Sequence, residues 1–209
     1  MDLNKTLNEY LEELSSNSPT PGGGNVAALS GVLASALGIM VCNLTIGKKK
    51  YLEAESDIIN FKNKLENFQN IFVELGARDN AAFEQVMEAF KMPKDTDKQK
   101  DIRLSQIDEA TFDAAIVPSE VINNCKDVLP ILISVAKKGN KNSVSDAGVA
   151  LSLISTSAQS ALLNVVINCS SLANKTIGNE FIKKYEIICE EIGIVVKDEI
   201  DRIKAEMIQ

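Results

Sequence analysis

A chain of 209 residues with 45% hydrophobic and 24% charged side chains is long and apolar enough to bury a core as one domain over 1–209. A net charge of −7, with no basic segment beyond Lys48–Lys50, argues against nucleic-acid binding. The absence of histidine excludes Ser-His-Asp and Cys-His catalysis and His-ligated zinc within one chain, so proton transfer near neutral pH falls to Asp, Glu, Lys, Tyr or Cys with a shifted pKa.

Leu3, Leu7, Leu11 and Leu14 recur at helical spacing, which predicts a short amphipathic first helix and not the apolar core of a signal peptide. The segment "SPTPGGGNVAAL" (18–29) follows, and a second helix is expected from about Asn25 to Ile46. That helix lies in a stretch from Asn17 to Gly47 without a charge, and its small residues Ala27, Gly31 and Ser35 fall on one side, where a neighbouring backbone can come close. A third helix is expected over about 53–90. Its stripe of Phe61, Leu65, Phe68, Phe72, Leu75, Asp79, Ala82, Val86 and Ala89 steps by four and three, the pattern of a bundle seam.

"MPKDTD" (92–97) ends that helix, and Asp95 or Thr96 can cap a fourth over about 97–138, with Pro118 and Pro130 expected to kink or divide it. A fifth helix over about 145–174 is uncharged from Ala147 onward. A sixth, over about 179–207, carries Phe181, Tyr185, Ile188, Ile192, Val195 and Ile203. No stretch alternates as a strand would. The predicted fold is therefore all-α, a bundle of about six helices with two buried uncharged helices. Both uncharged stretches are long enough to span a bilayer, but their Ser and Asn content and the lack of an aromatic belt favour buried helices of a soluble protein without a membrane role. Cys42, Cys125, Cys169 and Cys189 lack C-x-x-C spacing and read as free core thiols of a cytoplasmic protein, with no metal site.

Several residues could carry chemistry. Pro21, Gly22, Gly23, Gly24 and Asn25 stand at a helix N-terminus, where backbone N–H groups suit a carboxylate or phosphate, or where glycine allows a tight connection. Lys48, Lys49 and Lys50 either cap a helix end or hold an anionic substrate. Asp79 interrupts an apolar seam, so it meets a cation from another helix or borders a polar cavity. Asp146 is a first-turn dipole partner or a second acid. On the same helix Ser157, Ala161, Asn164, Asn168 and Ser171 form a stripe whose amides need partners, across an interface or on a ligand.

The segments "PTPGGGNVAAL", "NLTIGKKKY", "RDNAAFEQVMEAFKMPKDT", "VPSEV" and "GNKNSVSDAGVAL…NVVIN", in order along nearly the whole chain, resemble the cyclodeaminase/cyclohydrolase family of folate enzymes. The resemblance implies an all-helical homodimer acting on a tetrahydrofolate one-carbon derivative with no further cofactor. By position it draws attention to Pro21, Gly22, Gly23, Gly24, Lys48, Lys49, Lys50, Asp79, Asn140, Asp146, Asn164 and Asn168. Two positions depart from the family's pattern: Asn25, where a small residue is usual, and Asn80, where D-A-x-A-F has alanine. The "MPKDT" and "DNAAF" segments look most like the bifunctional enzyme's domain, so formiminotetrahydrofolate cyclodeaminase is the first expectation. Methenyltetrahydrofolate cyclohydrolase is the alternative, and a non-catalytic folate-binding or scaffold protein the more distant one. If the site is catalytic, Asp79 and Asp146 are expected to face one cavity beside the glycine loop.

Overall fold

Caps, glycines and prolines punctuate the chain into the elements of the computed structural model, which describes residues 4–208. These are α1 (Leu7–Leu14), α2 (Gly23–Asn43), α3 (Glu55–Lys91), α4 (Asp97–Lys138), α5 (Val144–Ser171) and α6 (Lys175–Ile208), with no strand among the described residues. Thr6 and Glu9 form a capping box on α1, and Thr96 and Gln99 form another on α4. Leu3 lies outside the described residues.

The boundaries depart from the sequence expectation in instructive places. Gly23 and Gly24 are already the first turn of α2, because Gly22 takes the cap position in extended backbone. The segment after α2 folds as a 3₁₀ turn, Lys49–Ala54, before α3 begins. α6 starts at Lys175, and Val196 rather than Val195 faces the core. Of the expected kink or division of α4, division does not occur, for the helix runs unbroken through Pro118 and Pro130. Pro118 has no N–H for the Ala114 carbonyl four residues back, and the side chain of Asn168 on α5 supplies the missing donor at 3.0 Å.

α2 packs against α3, α4 and α5, and α5 against α2, α4 and α6. The seam of α3 buries Ile58, Leu65, Phe72 and Leu75 against this centre. Small residues on α2 permit the close approach: a Cβ at Gly31 would strike the Phe72 ring, and one at Gly38 would strike Leu65 and Leu132. Cys42, Cys125, Cys169 and Cys189 are free and buried in this core. Although α2 and the stretch Lys141–Ser171 are long and apolar enough to cross a bilayer, both carry one face into the bundle. The other face of each remains open and uncharged, and it exposes Leu33 and Met40 on α2, Leu44 at its C-cap, and Val149, Leu163 and Ile167 on α5.

Because the Asn140 N–H bonds to Thr45 beyond the end of α2, while Ser157 and Asn164 of α5 lie against Ala27 and Gly23, these two helices run antiparallel. The molecule therefore has two ends. One holds the glycine segment and the C-terminal half of α5; the other holds Lys48–Lys50 and the start of α5.

Candidate active site

At the glycine end, the first turn of α2 points its backbone N–H groups outward, and Gly22 offers no side chain to cap them. Asp79 of α3 does so instead, its carboxylate accepting from the Asn25 backbone N–H. This needs glycine next door, since a Cβ at Gly24 would overlap the Asp79 carboxylate. Burial pushes the Asp79 carboxyl above the ordinary aspartate range, and the hydrogen bond from Asn25 only partly opposes it. Neighbouring Arg78 gives no compensation, because it turns away to pair with Glu120 on α4.

A cavity of about 290 Å³ opens beside this carboxylate, lined by Thr20, Gly22, Gly23, Gly24, Asp79, Phe83, Val86, Ala114, Asn164 and Asn168 among others. The two α5 amides differ in what they are free to do. Asn164 Nδ2 bonds back to Ser160 O of its own helix at 3.0 Å, whereas Asn168 Nδ2 is committed across the cavity wall to Ala114 O. Each keeps its carbonyl oxygen as an acceptor at the cavity. The rest of the α5 stripe is structural: Ser157 is buried and donates to Ala27 O at 2.7 Å, and Ala161 is core.

One chain thus gathers Gly22, Gly23, Gly24, Asn25, Asp79, Asn164 and Asn168. Pro21 is buried behind the loop, and Pro19 and Thr20 reach the cavity in its place. The remaining expected site residues lie at the other end. Asp146 is eighteen residues before Asn164 on one helix, about 27 Å of helical rise away, so the two aspartates do not share a cavity within a chain. Lys48, Lys49 and Lys50 are exposed beyond the end of α2, roughly 30 Å from the glycines. Asn140 is buried in a local network: its Nδ2 donates to Leu44 O at 3.1 Å, and its Oδ1 accepts from the Asn142 N–H at 3.2 Å and from the Tyr51 hydroxyl at 3.4 Å.

Sequence reasoning missed Phe83, Val86 and Ile167 as cavity residues. Phe83 and Val86 follow Asp79 at four and seven residues, so helical phase could have found them. A larger groove of about 780 Å³ between α3 and α4 is lined by Glu84, Glu88, Glu109 and Asp113, charges of the wrong sign for an anionic substrate.

A half-buried carboxylate at a helix N-terminus, facing two amides and a short apolar wall, defines an all-helical bundle with an enzyme-like cleft. The chain belongs to the formiminotransferase-cyclodeaminase family, which it matches over residues 6–186, and with it to the folate-dependent one-carbon enzymes. It is 39% identical to the methenyltetrahydrofolate cyclohydrolase of Methylorubrum extorquens over 98% of each chain. It is 27% identical to the formimidoyltransferase-cyclodeaminase of Sus scrofa over 97% of its own length but 38% of that protein's. The crystal structure of formiminotetrahydrofolate cyclodeaminase from Thermotoga maritima shares its fold with a TM-score of 0.80 at 31% identity, over 95% of this chain and 97% of that one.

Proposed function

We propose that this protein is a methenyltetrahydrofolate cyclohydrolase. The observation that carries this reading is the 39% identity to a protein of that name along essentially the full length of both chains. It reverses the order expected from the "MPKDT" and "DNAAF" segments. The site chemistry fits. The substrate carbon between N5 and N10 is part of a cation, and an ionised Asp79 in a poorly solvated cavity stabilises it. Water adds to that carbon while Asp79 accepts the water's proton. The same proton then passes to N5 as the carbon–N5 bond breaks, leaving the 10-formyl product and, after hydroxyl deprotonation, one proton in solution. A carboxyl raised above its ordinary value is suited to holding and returning a proton in this way. The second reading, formiminotetrahydrofolate cyclodeaminase, is favoured by the name of the Thermotoga maritima structure. The decisive assay follows methenyltetrahydrofolate by absorbance, first as substrate and then as product of the formimino compound. The expected result is decay faster than in buffer alone. No acceleration of decay, with rapid formation from the formimino compound, would reverse the assignment.

We further propose a homodimer built on the open faces of α2 and α5. The cavity within one chain is at the small end for a folate-sized ligand, about 300 Å³ and above being usual. Ile167 belongs to both the cavity wall and the open apolar face. An antiparallel two-fold pairing lays the lysine end of one chain beside the glycine end of its partner, and Lys48, Lys49 and Lys50 then meet the substrate's carboxylates in trans. Mixing an Asp79→Asn chain with a Lys48→Ala/Lys49→Ala/Lys50→Ala chain at low substrate restores intact sites if the lysines act in trans. No gain on mixing assigns them to some other role.

A further inference from the structure

α1 is an eight-residue helix with no buried side chain, and its Leu7 and Leu11 are 69% and 49% exposed. Apolar burial therefore does little to hold it on the bundle. The Thr6–Glu9 capping box and the Lys5–Glu13 ion pair keep it helical. Tyr10 and Leu14 are half-buried, and Tyr10 is the one whose polar group reaches the bundle. Its hydroxyl donates to Asn25 Oδ1 at 3.0 Å, and Asn25 is 1% exposed.

Every polar group of that asparagine is engaged. Asn25 Nδ2 donates to Gly76 O at 2.7 Å and to Asn80 Oδ1 at 3.4 Å, and the backbone N–H donates to Asp79. The Gly76 carbonyl can only accept, so the amide must turn its nitrogen toward α3 and its oxygen toward α1. That leaves a buried acceptor, which the Tyr10 hydroxyl satisfies. Asn25 and Asn80 are thus one hydrogen-bonded unit with Tyr10 at its outer end.

We propose that Tyr10 is a positioning residue: through Asn25 it holds the first turn of α2 against Asp79, which makes α1 a working part of the site. This rests on the reading that Asp79 acts in turnover, and the test separates the two claims. The groups facing Asp79 carry no charge: Thr20 from the loop, Phe83 and Val86 on its own helix, Ala114 from α4, and Asn164 and Asn168 from α5. Arg78 is held away by Glu120, and α1 contributes the Tyr10 hydroxyl through Asn25. A shift in the Asp79 titration therefore reports on the Asn25 hydrogen bond.

The variant is Tyr10→Phe, which removes one hydroxyl from a helix whose side chains are not buried, and Leu11→Ser on the exposed face of the same helix is the control. The Asp79 carboxyl is titrated by carbon NMR in the intact protein, and kcat and KM are measured against pH. Because the Asn25 N–H favours the ionised carboxylate, loosening it moves the titration upward in Tyr10→Phe and not in Leu11→Ser. The kcat limb moves with it, and kcat at neutral pH falls roughly three- to tenfold, the scale of one hydrogen bond, with a smaller change in KM. An unmoved titration in Tyr10→Phe, or an equal shift in Leu11→Ser, overturns the proposal. A titration that moves while the rate profile stays in place upholds the positioning by Tyr10 and removes Asp79 from the mechanism.

Discussion

Asp79 stands in the phase of a helix seam that otherwise takes Phe, Leu, Val or Ala, and it lies in a cavity where no cation among the described residues reaches it. Its raised titration has a direction in stability. The folded state binds the Asp79 proton more tightly than the unfolded state, so this contribution is fully present below the unfolded carboxyl's value and is lost as pH rises through the folded one. Asp79→Asn removes the charge that causes the loss. Thermal melts are expected to show the variant equal to or more stable than the parent near neutral pH. The difference should shrink as the buffer is taken below the ordinary aspartate range. Turnover on the same preparation should drop by roughly 10² or more, the scale of a positioned acid–base group. A stable variant with full activity would make Asp79 a structural cap for α2 and nothing more.

At the scale of elements, the unbroken course of α4 and the orientation of Asn168 are a single fact. Pro118 opens the Ala114 carbonyl, and Asn168 closes it from α5, so a defect in one helix fixes a site amide on another. Asn164 makes its bond within its own helix and closes nothing. The two asparagines should therefore separate by denaturant titration. Asn168→Ala leaves the Ala114 carbonyl without a donor and costs about 1–2 kcal/mol, whereas Asn164→Ala costs a few tenths at most. Both should raise KM, since each removes an acceptor at the cavity. Equal midpoints for the two variants would mean that water replaces Asn168 at no cost.

Across the whole molecule, the charges and the chemistry sit apart. Lys48, Lys49 and Lys50 lie at the end of the bundle opposite the cavity, and the uncharged faces of α2 and α5 run between the two ends. In the dimer proposed above, replacing the three lysines by alanine raises KM for a polyglutamylated folate and leaves kcat within a few-fold. The KM effect shrinks in high salt, because the exposed ammonium groups act through a screened field. Light scattering at micromolar concentration should give twice the mass of the chain, and a monomer at that concentration rules the arrangement out.

Sequence by itself carried the all-helical class, because apolar periodicity, a cap candidate at Asp95 or Thr96 and uncharged stretches are local properties that survive without knowing what packs on what. The fourth helix came out at its observed limits since Thr96 and Gly139 mark both ends chemically. It also singled out Asp79, as a charge standing at an apolar seam position is visible in one dimension. The tertiary structure decided which residues meet. A list of Gly24, Lys49, Asn140, Asp146 and Asn164 does not reveal that antiparallel helices of about 30 Å or more divide it between two ends. The roles of Pro118, Tyr10 and Asn80 were equally out of reach, because each depends on one atom meeting another on a different element, 15 to 55 residues away, and sequence spacing records no such meeting.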